Sequence, residues 1–159
     1  PFDMSAWQSR VTSLSEQDFI EKFSEIFENG RWIAEGAFNL ELGPSHNTAI
    51  GVHNALCRIF RSARYETRKK LLEAHSGGHQ KPMIFEKLIS EQNQDIARTL
   101  DEQFSAKFGF KFTLSETDAK NCDVLQNLRE RLESDYMTEF AENCRQIEKI
   151  ALEKISMLI

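Results

Sequence analysis

The residues best suited to chemistry lie in Leu71-Leu72-Glu73-Ala74-His75-Ser76-Gly77-Gly78-His79. A helix-like run leads into His75, and two glycines then stop the helix. A histidine at such a place can be held rigidly and still reach a ligand. Its unperturbed pKa near ~6.5 lets it give or take a proton at neutral pH. The same pattern also fits a solvated histidine drawn to the negative end of a helix dipole. His75 and His79 stand four apart, a metal-ligand spacing on a helix. Gly77 and Gly78 interrupt the helix that would align the two rings, and no third ligand is evident, so no metal is expected.

The elements that must position His75 read as helices. Ser13-Leu14-Ser15-Glu16 has the form of a capping box opening a helix, with Phe19, Phe23, Ile26 and Phe27 as its apolar stripe and Asn29-Gly30 as its stop. Trp32, Ile33 and Phe38 suggest a second, short helix, and Leu42-Gly43-Pro44-Ser45 a turn. Val52, Leu56, Ile59 and Phe60 place a third helix over 48–60, with His53 beside the stripe in a structural role. A fourth helix runs from Tyr65 to Ala74 and ends at His75, followed by a polar loop from Ser76 to Pro82. From Met83 to Lys107 the pattern is helical, with room for a break inside it. Phe108-Gly109-Phe110-Lys111-Phe112-Thr113-Leu114 is aromatic, glycine-interrupted and short, so it reads as an extended segment crossing a helical core. Val124, Leu125, Leu128 and Leu132 mark a helix over 118–132. Phe140, Cys144, Ile147, Ala151, Ile155 and Leu158 mark a last one from about Asp135. The expectation is an all-α protein, one compact domain over 1–159 with seven or eight helices.

Composition narrows the class. The chain's 159 residues suffice for one domain with a core, and 40% hydrophobic against 28% charged is an ordinary globular balance. A net charge of −5 argues against a nucleic-acid partner, which needs a clustered positive face. Arg58, Arg61, Arg64, Arg68, Lys69 and Lys70 are the local exception and read as a solvated helix face that can also draw in an anion. Cys57, Cys122 and Cys144 are odd in number and far apart, which points to reduced, buried thiols in a cytoplasmic protein. No apolar run has the length of a membrane span, and the amino terminus lacks a secretory pattern, so no membrane partner is expected.

Taken in order, several segments resemble the 2-oxo-4-hydroxy-4-carboxy-5-ureidoimidazoline (OHCU) decarboxylases of purine breakdown. Leu14-Ser15-Glu16-Gln17-Asp18-Phe19 is similar to that family's opening helix, and Ile26-Phe27-Glu28-Asn29-Gly30-Arg31-Trp32-Ile33-Ala34-Glu35 to its I-F-E-x-x-x-W-I-A-E segment. Leu71 to His75 resembles the run into its catalytic histidine. Leu100 to Phe112 resembles L-N-x-x-Y-x-x-K-F-G-F-P-F, with Asp101, Phe104 and Lys111 as substitutions. Leu128 to Leu132 and Ile147 to Leu158 resemble its closing helices. The departures cluster near the histidine. Ser76 stands where the family has proline, and Leu88 where it has serine ahead of Glu91-Gln92. The interval from Glu91 to Phe108 is shorter than in the family, no arginine follows the Phe-Gly-Phe segment, and Lys154 replaces an arginine.

The resemblance implies a decarboxylation without cofactor. Loss of CO₂ from the ureidoimidazoline leaves electrons that the ring can accept, and proton delivery from one face gives (S)-allantoin. His75 is then the catalytic proton donor and acceptor. Glu91 and Gln92 are the hydrogen-bond partners of the substrate's ureido and ring atoms. Lys154, with the Gly77 and Gly78 amides, is a candidate for its charge. The resemblance also implies a homodimer acting on a small-molecule substrate. The alternative is a non-catalytic helical homologue or binding module that kept the fold and lost the pocket.

Overall fold

The computed structural model describes residues 10–159, so the amino-terminal stretch in which no secretory pattern was read lies outside the described residues. Among the described residues there are nine α-helices and no strand, which makes the chain all-α. The expected number was seven or eight. The difference comes from the 118–132 stretch, where a four-residue helix is followed by a turn and then a longer helix. The described residues gather into two compact units. One holds those up to Arg68 together with Ala151–Ile159, and the other holds Lys69–Ile150.

In the first unit, helix α1 (Glu16–Phe23) is capped by Ser15, whose hydroxyl accepts the Asp18 N–H. The expected box began at Ser13. That residue instead closes a 3₁₀ turn over Val11–Ser13, and Ser15 takes the cap with Glu16 and Asp18 in the first turn. The helix stops at Phe23, so Ile26 and Phe27 are buried from the turn that follows rather than from a helical stripe. Asn29 has φ 61°, and helix α2 (Arg31–Phe38) begins after Gly30. Helix α3 (Ala49–Ser62) is capped by Thr48, whose hydroxyl accepts the Gly51 N–H at 3.0 Å. It buries Val52, Leu56, Cys57 and Phe60, and the Phe27 and Phe60 rings lie 5.1 Å apart. His53 is half-buried on this helix with Nε2 3.3 Å from Cys57 Sγ. Helix α4 (Tyr65–Ala74) ends one residue before His75, as its pattern predicts. Of the six basic residues, Arg58, Arg61, Arg64 and Lys70 are exposed, while Arg68 and Lys69 are half-buried.

In the second unit the stretch read as helical from Met83 to Lys107, with room for a break, is broken. Helix α5 (Lys81–Leu88) stops at Ile89-Ser90, a 3₁₀ turn covers Glu91–Asn93, and α6 (Gln94–Phe108) follows. Gln94 Nε2 reaches back to the Phe85 and Ile89 carbonyls at 2.7 and 2.8 Å, serving backbone acceptors near the end of α5. Gly109 ends α6 with φ 80°, a conformation glycine adopts without steric cost.

The segment after it is extended and buried. Phe110, Phe112, Thr113, Leu114 and Ser115 are all inside. With no neighbouring strand, its backbone polar groups need side-chain partners. Arg131 Nη1 donates to the Thr113 carbonyl at 2.6 Å, and Asn143 Nδ2 to the Lys111 carbonyl at 3.0 Å. The Ser115 N–H donates to Gln146 Oε1 at 2.9 Å. These partners come from α8 (Val124–Leu132) and α9 (Tyr136–Leu158), which follow the short α7 (Glu116–Ala119). Asp123 caps α8, and Asp135 accepts the Thr138 N–H at the start of α9. Cys57 and Cys144 are buried, but Cys122 is exposed in the turn before α8, against the expectation that all three thiols are inside. Among the described residues no helix is long and apolar enough to cross a membrane.

Candidate active site

His75 is the first residue past α4. Its N–H donates to the Leu72 carbonyl at 3.2 Å, and only 3% of the residue is exposed. The chain then turns through Gly77 at φ 93° and Gly78 at φ 101°. This turn brings the Gly77 N–H onto Nδ1 of His75 at 3.0 Å. Nδ1 is therefore an acceptor, and the neutral ring carries its proton on Nε2. A side chain at Gly77 would be strained by φ and by contact, since its Cβ would stand 2.8 Å from Lys81 Cδ and 2.9 Å from the Phe112 carbonyl oxygen.

Beyond this turn lies a cavity of about 470 Å³, lined by Ser76, Gly78, His79, Lys81, Pro82, Phe85, Asp101 and Lys111. Its polar centre is an ion pair. Lys81 Nζ donates to Asp101 Oδ1 at 2.9 Å, with the two side chains 14% and 27% exposed. The ammonium also lies 5.6 Å from the Phe85 ring centroid and 5.9 Å from that of Phe112. Burial pushes the Lys81 ammonium below the usual lysine range, and Lys111 and Arg131 push the same way, against the pull of Asp101.

The residues proposed from sequence fall in different places. His75 is buried behind its glycine turn and is not among the residues lining the cavity. Glu91 and Gln92 are exposed on the 3₁₀ turn before α6 and do not line it either. Leu88, at the family's serine position, is 41% exposed. Lys154 belongs to the first unit, on α9, where Nζ donates to the Glu25 carbonyl at 3.2 Å. Burial lowers its pKa, and Glu28 and Glu25 oppose that shift. The glycine amides named as donors for substrate charge are engaged inside the loop, Gly77 with His75 and Gly78 with Ser76 Oγ at 3.3 Å. His75 and His79 are not on successive turns of one helix, because α4 ends at Ala74, and His79 is exposed while His75 is buried.

Sequence reasoning missed Lys81 as a site residue and noted Asp101 and Lys111 only as substitutions. Lys81 and Asp101 are 20 residues apart on different helices, so no local spacing links them. Lys111 did carry a signal, as a lone lysine between Phe110 and Phe112.

Comparison with known proteins adds to this geometry. The family model described as OHCU decarboxylase matches residues 12–155. The chain is 24% identical over 155 residues to a "Uric acid degradation bifunctional protein" of Bacillus sp. (strain TB-90), an alignment covering 90% of this chain and 30% of that protein. It is 24% identical over 154 residues to a 2-oxo-4-hydroxy-4-carboxy-5-ureidoimidazoline decarboxylase of Haloferax volcanii, covering 89% of each. The chain thus spans about a third of the bifunctional relative, 30% of its length, and most of the shorter one. A solved crystal structure of (S)-allantoin synthase superposes with a TM-score of 0.77 at 20% identity, over 94% of this chain and 52% of that one, and shares its fold. A match running from the residues before α1 to the last turns of α9 places this chain in the OHCU decarboxylase family.

Proposed function

We propose that the chain decarboxylates OHCU to (S)-allantoin without a cofactor, in the breakdown of urate, with His75 exchanging the proton. The observation that carries this reading is a histidine at the end of α4, oriented by the Gly77 N–H, inside a family match over 12–155. In the proposed step the bond to the carboxylate carbon breaks, CO₂ leaves, and the electron pair enters the ring's imine system. A proton delivered to one face of the carbon bearing the ureido group completes allantoin. The Nε2–H of His75 supplies it while Nδ1 keeps the Gly77 N–H, and the ring takes a proton back from solvent. A positioned acid of this kind is worth ~10²–10⁴ in rate.

The reading keeps Glu91, Gln92 and Lys154 as substrate-binding residues and takes 1–159 as one functional domain, since the family match spans residues of both units. It also takes the protein as cytoplasmic, following the odd and scattered cysteines, and as a homodimer, following the family resemblance.

A second reading has its own support. His75 is 3% exposed, and Glu91 and Gln92 stand outside the cavity, as in a homologue that kept the fold and lost the reaction. Turnover of freshly generated OHCU separates the two, with the optical activity of the allantoin as the second readout. Enantioselective formation of (S)-allantoin that disappears in His75→Ala is expected. Racemic product at the spontaneous rate from folded protein overturns the decarboxylase reading.

A further inference from the structure

The cavity beside the glycine turn has a chemistry that the proton-transfer role of His75 does not use. The geometry points to a binding site for a small planar carboxylate, with Lys81 as the cation that holds the carboxylate and Phe85 as the wall for the ring. Charge is the first argument. The lining brings Lys81 and Lys111 together with a single carboxylate, Asp101, so its fixed charge is positive. Desolvation is the second. Lys81 is 14% exposed, and a partly buried ammonium gains more from a new anionic partner than a solvated one does. An ammonium has three N–H donors, and the bond to Asp101 uses one. Shape is the third. Phe85 and Pro82 supply apolar surface next to the ammonium, and about 470 Å³ accommodates a single substituted ring. Asp101 is then the internal competitor that the ligand's carboxylate joins or displaces. This inference rests on the decarboxylase reading only for the identity of the natural ligand, since the ureidoimidazoline is itself a ring bearing a carboxylate.

Calorimetric titration of the full chain with orotate and with uracil tests it, because the two probes share a ring and differ by the carboxylate. Orotate is expected to bind at least about 10-fold more tightly than uracil, the value of a charge-assisted hydrogen bond. Lys81→Met is expected to abolish that preference. Lys111→Glu changes an exposed side chain, and is expected to weaken orotate by about 10-fold through like-charge repulsion at the wall. Asp101→Asn is expected to tighten orotate binding several-fold by removing the competitor, an outcome that a purely structural Lys81–Asp101 pair would not produce. Equal binding of the two probes, no binding of orotate, or unchanged orotate affinity in Lys111→Glu overturns the site. Turnover measured on the same samples keeps the two readings apart. Turnover without orotate preference sinks the carboxylate site alone, and orotate preference without turnover sinks the decarboxylase alone.

Discussion

Nδ1 of His75 accepts the Gly77 N–H at 3.0 Å, so the turn that ends helix α4 also sets the tautomer and orientation of the ring. Two roles meet in one hydrogen bond, and the second glycine, at φ 101°, continues the turn toward α5.

Gly77→Ala should therefore damage stability and chemistry together. The new Cβ would meet Lys81 Cδ at 2.8 Å and the Phe112 carbonyl oxygen at 2.9 Å, in a backbone region that L-residues avoid. A loss of about 1–3 kcal/mol is expected in urea denaturation, along with a fall in turnover. Wild-type stability in this variant would mean that the turn reorganises freely and does not hold His75.

Arg131 ties the extended segment to the last helix. Its guanidinium donates to Glu139 and to the Thr113 carbonyl, and lies 4.5 Å from the Phe112 ring centroid. Arg131→Met leaves a nearly inaccessible carboxylate without its cation, at a cost of about 3–5 kcal/mol near neutral pH. Burial already pushes the Glu139 carboxyl up, against the pull of Arg131. Without the arginine the folded pKa rises further above the unfolded value near ~4.3, so the folded variant binds the extra proton and its stability falls as pH rises. Denaturation curves should show a smaller deficit at pH 5 than at pH 8. A pH-independent deficit would remove Glu139 from the explanation.

Asp118 shows the opposite sign. Burial pushes its carboxyl up, but hydrogen bonds from Lys149 and Gln146 outweigh that and hold it below the usual range. Its contribution is present above the unfolded pKa near ~3.9 and is lost as pH falls through the lower folded value. Asp118→Asn should cost on the order of 1 kcal/mol at pH 7, since the Lys149 partner is partly screened by solvent. It should also flatten the acid limb of stability against pH, which thermal melts between pH 2 and pH 6 would follow.

Lys154 and Glu91 test the substrate-binding assignments. Lys154→Met is expected to raise KM by about 10-fold while kcat changes little. Because burial lowers the folded pKa of Lys154, its charged form opposes folding, and that opposition fades as pH rises from the folded value toward ~10.4. Glu91→Ala removes an exposed side chain, so the midpoint of unfolding should hold within about 0.5 kcal/mol while KM rises. Steady-state kinetics with unchanged KM would take either residue out of the site.

What the sequence determined by itself was the local physics. The end of α4 at His75 and the extended aromatic segment were legible, because capping, glycine placement and helical periodicity act within a few residues, whereas the break between α5 and α6 was allowed for but not located. The Ser13 cap failed because two serines two apart offer competing starts, and the local pattern does not say which is preceded by a tight turn. Tertiary structure decided the rest. Arg131, Asn143 and Gln146 satisfy the buried backbone at 111–115 from 18 to 32 residues away, and Lys81 finds Asp101 across 20 residues. Such pairings obey no period. They arise because a buried polar group must find a partner wherever packing puts one, and packing alone placed Lys81, Asp101 and Lys111 around one cavity.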